Sequence, residues 1–259
     1  MHNFKISIVT VTFNSEKTLK DTIESVIAQK YNNIEYIIID GSSSDATIDI
    51  VKSYGNKVSK FISEKDNGIY DAMNKGLKLA TGDVVGILNS DDVYFDNEVI
   101  EKVIERFKKD GSDSVYGDLY YVKEDNVNEV VRYWKSSILE QESFAKGWHP
   151  PHATFFVKKD IYNKYGYFDL NMKVSADFEL MLRFLEKYKI STCYLSKVIV
   201  RMRVGGESNR NIKNIITGNA SILKSFDKNN IKVNKIMYIF YRFIPKIIQR
   251  IEKLKINSK

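Results

Sequence analysis

The chain has 259 residues, 43% hydrophobic and 28% charged, with a formal net charge of +7 and one cysteine, Cys193. That length suits one large domain or a domain with an appendage. A single thiol excludes an intramolecular disulfide and fits a reducing compartment. The charge is unevenly placed: Lys228 to Lys259 carries nine Lys/Arg and one acid, so the rest nets 7 − 8 = −1. A neutral core argues against a nucleic-acid groove. A basic tail points instead to an anionic surface. The N-terminus shows no charged-then-apolar leader, and no apolar run is long enough for a membrane span, so a cytoplasmic protein is expected.

Ser7–Phe13 is β-branched and aromatic and reads as a first strand. Asn14-Ser15 are positioned to cap the helix that follows, whose apolar face is Leu19, Ile23, Val26 and Ile27. Glu35–Asp40 is a second strand, followed by the turn Gly41–Ser44 and a helix over about 45–54. Val58–Ser63 is a weaker third strand. Ile69, Met73, Leu77 and Ala80 mark a helix closed by Gly82. Val84–Leu88 is a continuous apolar run, as in a strand covered on both faces, and it ends in Asn89-Ser90-Asp91-Asp92. Asp96 or Asn97 would cap the next helix, with Ile100, Val103, Ile104 and Phe107 inward.

Four strand–helix alternations in residues 1–110 imply a parallel sheet with right-handed crossovers. After Gly111 the order is mixed. Short strands are expected near 114–116, 119–122, 130–134, 154–157 and 198–204, with a helix bearing Phe178, Met181, Leu182 and Leu185. Antiparallel additions to one sheet are therefore expected, with no separate second domain. The domain is assigned to 1–227 (a nucleotide half, 1–110, and an acceptor half, 111–227), with a basic amphipathic tail at 228–259. In the tail Ile236, Ile239, Phe240, Phe243, Ile247, Ile251 and Leu254 share one helical face, interrupted at Pro245. Such a face could pack on its own domain, meet a partner or lie in a membrane interface.

Neither G-x-G-x-x-G nor a Walker A loop follows the first strand, which weakens dehydrogenase and P-loop readings. Polar groups instead end several strands: Thr12 and Asn14, Asp40, and Asp91-Asp92. Parallel strands bring these ends to one edge of the sheet, where open α/β sheets bind ligands. Two adjacent acids repel unless a cation sits between them and a substrate, and hard oxygen donors favour Mg2+ or Mn2+. Asp40 could accept from the imide N–H of a uracil or thymine ring, or could simply cap a turn.

The chain resembles a family 2 inverting glycosyltransferase of the bacterial surface-polysaccharide type, with the nucleotide-sugar-binding fold called GT-A. Five blocks carry the resemblance, in order between about residues 5 and 210. They are Ser7–Asn14, Ile38–Asp45, the stretch Asp66-Asn67-Gly68-Ile69-Tyr70-Asp71-Ala72-Met73-Asn74-Lys75-Gly76, Leu88–Asp92, and Ser175–Arg183. The resemblance implies a metal-dependent transfer of a sugar from a nucleotide-sugar, with UDP the default carrier. The acceptor would be a saccharide, lipid-linked at the inner face of the membrane, and the protein would sit there peripherally through its tail. A catalytically silent nucleotide-sugar-binding subunit of an assembly complex is the alternative.

The resemblance also implies roles. Asp40 reads the base, Thr12, Phe13, Asn14 and Ser42 line its pocket, and Glu16 reaches the ribose. Asp71 and Asn74 face the nucleotide or a solvated helix surface. Ser90 and Asp91 hold the ribose side, and Asp92 holds Mn2+ or Mg2+. Asp177 is the base, although Ala176 stands where the family usually has an acid, and Glu179 competes for the role. His152, and after it His149, are candidates for acceptor or diphosphate contact. Arg203, beside Gly205, Gly206 and Ser208, is expected on a mobile loop that closes on the diphosphate.

Overall fold

The computed structural model describes residues 3–205 and 212–241. Its centre is a nine-stranded mixed sheet. β1 (Ile6–Thr12), β2 (Ile34–Asp40), β3 (Lys60–Ser63) and β4 (Val84–Ile87) are linked by α1 (Leu19–Ile27), α2 (Thr47–Ser53) and α3 (Ile69–Leu79). These four strands run parallel in the order β3-β2-β1-β4, with Thr12 opposite Asp40 and Asp40 opposite Ser63. β1 and β4 are buried along their whole length, as expected for strands covered by helices on both faces. α3 lies so close to the sheet that a side chain at Gly76 would overlap Val9.

β5 (Val93–Tyr94) turns back directly after the acidic pair, and α4 (Val99–Asp110) follows. α4 buries Ile100, Val103, Ile104 and Phe107, and ends at Gly111 in the left-handed conformation with its N–H bonded 3.0 Å to Phe107 O. β6 (Ser114–Val122), β7 (Val130–Trp134), β8 (Phe156–Lys158), α5 (Lys159–Tyr165), α6 (Ala176–Leu182), β9 (Thr192–Arg203) and α7 (Ile212–Lys228) come next in the chain. β8 is antiparallel to both β4 and β6, and β9 is parallel to β6. β4, β6 and β9 therefore point the same way. The carboxyl ends of β1, β2, β3, β4, β6 and β9 share one edge.

The mixed α/β domain expected from the sequence is what forms. Some local expectations do not hold. Asn14 and Ser15 do not cap α1, which starts at Leu19 without a side-chain cap. Ser15 is used elsewhere: its N–H bonds Thr47 Oγ1 at 2.8 Å and its hydroxyl pairs with Ser90. Asp96 bonds the Glu98 N–H at 2.8 Å in the turn before α4 and does not cap the helix itself. The two short strands read near 114–122 are one strand, β6, and the strand read at 198–204 begins at Thr192.

Candidate active site

The site builds up along the shared carboxyl edge. β1 ends at Thr12, which is buried with its Oγ1 unpartnered. Phe13 follows, 62% exposed at the mouth, and Asn14 takes a positive φ of 49°. That turn lets Asn14 Oδ1 accept from the Ser44 N–H at 2.9 Å, while Asn14 N–H donates to Ser43 Oγ at 2.8 Å. Glu16 accepts from the Ala46 N–H at 3.0 Å. The loops after β1 and β2 are thereby stitched together.

Asp40 is fully buried at the end of β2. Its carboxylate accepts from the Ser43 N–H at 3.0 Å, from the Ser43 hydroxyl, and from Ser63 Oγ at 2.6 Å. Gly41 packs tightly here: a Cβ on it would lie 2.6 Å from Asp66 Oδ2 and 3.3 Å from Phe13. Ser42 stands exposed in the left-handed region at φ 64°.

The acidic pair follows β4. Asp92 is fully buried; its Oδ2 lies 3.4 Å from Asn89 Nδ2, and its Oδ1 has no hydrogen-bond partner, nor does Asn89 Oδ1. Burial, and then the charge of Asp91, push the Asp92 carboxyl well above the usual range. Asp91 is also raised by burial, against the pull of the Arg203 guanidinium. An orphaned carboxylate oxygen in this setting fits a cation ligand. Among the described residues no group of three or more His, Cys, Asp or Glu could hold a metal ion, so one protein carboxylate would need ligands from phosphate and water. Ser90 ties the pair to the β1 loop through Ser15 at 2.9 Å.

Arg203 is not on a closing loop. It is the last residue of β9, 5% exposed, and its three nitrogens are engaged. Nε donates to Glu124 O at 2.9 Å, Nη1 to Asp91 O at 2.7 Å, and Nη2 pairs with Asp21. With three of its five N–H groups used in these contacts, the guanidinium supports the acidic loop. Arg201 pairs with Asn128 Oδ1 at 3.2 Å and lies over the Phe95 ring. Gly206 and Ser208 lie outside the described residues.

Asp177 is the second residue of α6, whose N-cap Ser175 is in the left-handed conformation. Its Oδ1 accepts from Tyr70 Oη at 3.1 Å. Its competitor Glu179 is fully buried, bonded to Arg183 Nε at 3.0 Å and Asn229 Nδ2 at 3.1 Å. Arg183 also donates to Tyr167 O at 2.6 Å. Glu179 is thus a structural anchor, and its pairing with Arg183 has the i, i+4 spacing of helical ion pairs.

His152 lies in the turn before β8, its ring 5.7 Å from that of Phe168. Burial holds its pKa below the ordinary imidazole value, against the charge of Asp177. His149 sits among Trp134, Phe144 and Phe178, with Nδ1 2.8 Å from Pro150 O. Asp71 accepts from the Asn67 N–H at 3.0 Å in the turn leading into α3. Asn74 is 5% exposed and faces inward: its Oδ1 accepts from Phe168 N at 2.9 Å, and its Nδ2 donates to Phe168 O at 2.9 Å. It clamps the 168 loop and does not lie on a solvated surface. Tyr70 was the residue that sequence reasoning passed over, although it stands inside the quoted 66–76 block.

Residues 7–166 match the family described as Glycosyl transferase family 2. An uncharacterized glycosyltransferase of Rickettsia typhi is 29% identical over 212 residues, 77% of this chain and 64% of the relative, so this chain spans somewhat less than two thirds of that protein. A PGL/p-HBAD biosynthesis glycosyltransferase of Mycobacterium bovis is 25% identical over 94% of this chain and 92% of its own length. Among solved structures, Staphylococcus aureus TarS 1-349 in complex with UDP-GlcNAc has a TM-score of 0.69 at 19% identity, covering 92% of this chain and 72% of that one. A mannosyltransferase from Pyrobaculum calidifontis in complex with GDP-Man and Mn2+ has a TM-score of 0.67 at 16% identity, covering 94% and 70%. Both share the GT-A arrangement of the sheet. With the match over residues 7–166 added to the acidic edge described above, this chain belongs to glycosyl transferase family 2.

Proposed function

We propose that the chain is a divalent-cation-dependent inverting glycosyltransferase. It would move a sugar from a UDP-sugar to a saccharide acceptor carried on a lipid, in the assembly of a bacterial surface polysaccharide. The observation that carries the reading is the buried Asp92 oxygen without a partner, just past the carboxyl end of β4. The UDP-GlcNAc and GDP-Man complexes of the structural neighbours support a nucleotide-sugar donor. In this reading the base and ribose lie against Thr12, Phe13, Asn14, Glu16, Ser42, Ser90 and Asp91. Asp40 shapes the Gly41–Ser44 turn and receives the imide N–H on a lone pair freed when the Ser43 hydroxyl rotates. Asp92 holds Mn2+ or Mg2+, which when bound would neutralise charge on the departing nucleoside diphosphate. Asp177 removes the proton of the acceptor hydroxyl as it attacks the anomeric carbon. His152 borders the acceptor. Arg203 acts by supporting the acidic loop.

The purified chain is to be incubated with UDP-, GDP- and dTDP-sugars and Mn2+, with nucleoside diphosphate release as the readout. One UDP-sugar is expected to be consumed. Binding of UDP without consumption of any donor, in the presence of saccharide acceptors, would make the chain the silent subunit of an assembly complex.

We assign 1–227 to the transferase domain and 228–259 to membrane contact. Among the described residues no helix is long and apolar enough to cross a membrane. Residues 235–241 form a helix that is fixed to the domain by Tyr238, 1% exposed, whose ring lies 5.3 Å from that of Phe226. Its opposite side presents Ile236, Ile239 and Phe240, which are 70%, 45% and 56% exposed. The rest of the proposed apolar face, from Phe243 on, lies outside the described residues. An outward apolar face beside a net charge of +8 suits an anionic leaflet, where each basic residue contributes about 1 kcal/mol. Phe226 is fully buried, so the tail is better tested by substitution than by cutting the chain there. The triple variant Ile236→Ser, Ile239→Ser, Phe240→Ser keeps Tyr238 in place. It is expected to stop sedimenting with phosphatidylglycerol vesicles while keeping donor turnover. Equal sedimentation of variant and parent would make this helix a packing or assembly element.

A further inference from the structure

α3 carries Tyr70 in its first turn and Asn74 one turn later. The two side chains reach the same neighbour. Asn74 bonds both backbone groups of Phe168, and the Phe168 ring stacks on Tyr70 at 5.4 Å between centroids. The His152 ring meets the same phenylalanine from the turn before β8. Tyr70 is therefore seated by a loop that is itself clamped to α3, and its hydroxyl has a fixed target: Asp177 Oδ1, 107 residues further along the chain.

We infer that Tyr70 is a positioning residue for the base, holding one oxygen of Asp177 so that the other is presented to the acceptor hydroxyl. The inference rests on Asp177 being the base. A carboxylate on the first turn of a short helix can rotate about two side-chain bonds. A donated hydrogen bond selects one rotamer and so fixes where the second oxygen lies. The phenol keeps its proton over the working range, because burial, the Asp177 charge and the hydrogen bond itself push it well above its usual value. Among the described residues His152, from the turn ahead of β8, also feels the charge of Asp177. On α6, Glu179 and Arg183 are paired with each other, and Glu179 also with Asn229 beyond α7.

The test pairs Tyr70→Phe with Asp177→Asn and reads UDP affinity and kcat. Removing the donor frees the carboxylate to leave the rotamer held by Tyr70, so Tyr70→Phe should lower kcat about tenfold with UDP affinity unchanged. Added to Asp177→Asn, the same change should lower kcat no further. 3-Fluorotyrosine at position 70 keeps the shape and the donated hydrogen bond, so it should keep the parent kcat. If Asp177→Asn keeps its turnover, the base has been misassigned. If Asp177→Asn is inactive but Tyr70→Phe keeps the parent kcat, or 3-fluorotyrosine loses as much as phenylalanine does, the base stands and the role given to Tyr70 is wrong.

Discussion

Asp177→Asn lowers turnover by roughly a hundred- to ten-thousand-fold while UDP affinity stays nearly unchanged. The geometry separates the two quantities. Asp177 bonds Tyr70 and belongs to α6, whereas the loops proposed to meet the nucleotide are held by Asn14, Ser43, Asp45 and Thr47. An amide at position 177 still accepts from the tyrosine hydroxyl but cannot take a proton from the acceptor. Glu179 cannot replace it, because its oxygens are committed to Arg183 and Asn229 and it is fully buried. Inversion requires a β-linked product from an α-linked donor, which proton NMR of the product reports. An α-linked product would remove the inverting assignment and the base role together. A large loss of UDP affinity would place Asp177 on the donor side instead.

Asp92→Asn is expected to abolish transfer and to weaken UDP binding chiefly when Mn2+ or Mg2+ is present. Calorimetric titration of UDP with and without the cation separates the two contributions. In the parent protein Asp92 Oδ1 is buried without a partner, a state that costs free energy unless a ligand compensates it. The asparagine side chain has the same shape and loses the charge that draws a cation. The variant should therefore bind UDP equally with and without Mn2+. Parent activity that survives complete chelation would exclude the metal role.

The parts of this architecture that could be read from the sequence are those where burial writes a local pattern. Val84–Leu88 is apolar at every position because β4 is covered on both faces, and the polar break at Asn89 marks the sheet edge. β5 escaped because two residues, Val93 and Tyr94, are too few for any periodicity. Other misses are long-range. The spacing of Asn74 places it on a helix, but nothing local says that its amide meets Phe168, 94 residues away. Arg203 sits close to glycines, which suggested a loop, yet its partner Asp21 is 182 residues distant. Tyr70 falls in the same class: its chemistry depends on a carboxylate whose approach only the folded chain brings about. Glu179 was legible in principle, since Arg183 follows it at four residues.

β5 forms its ladder with β9, pairing Val93 with Arg201 and Tyr94 with Val200. The strand that immobilises the acidic loop is thus made about a hundred residues after the loop itself. During synthesis from the N-terminus, β1 to β4 can assemble as local strand–helix units, with the acidic segment held to them through Ser15–Ser90 and Thr22–Asp92 O but still without its β9 ladder. Closing so long a loop is entropically slow compared with those local steps. The acidic loop gains its last supports only when β9 is present beside β6, which brings Arg203 to Asp21 and to the Asp91 carbonyl. A nascent chain stalled before residue 192 would expose an acidic loop without its staple, and the ribosome-bound intermediate would hold no finished donor site.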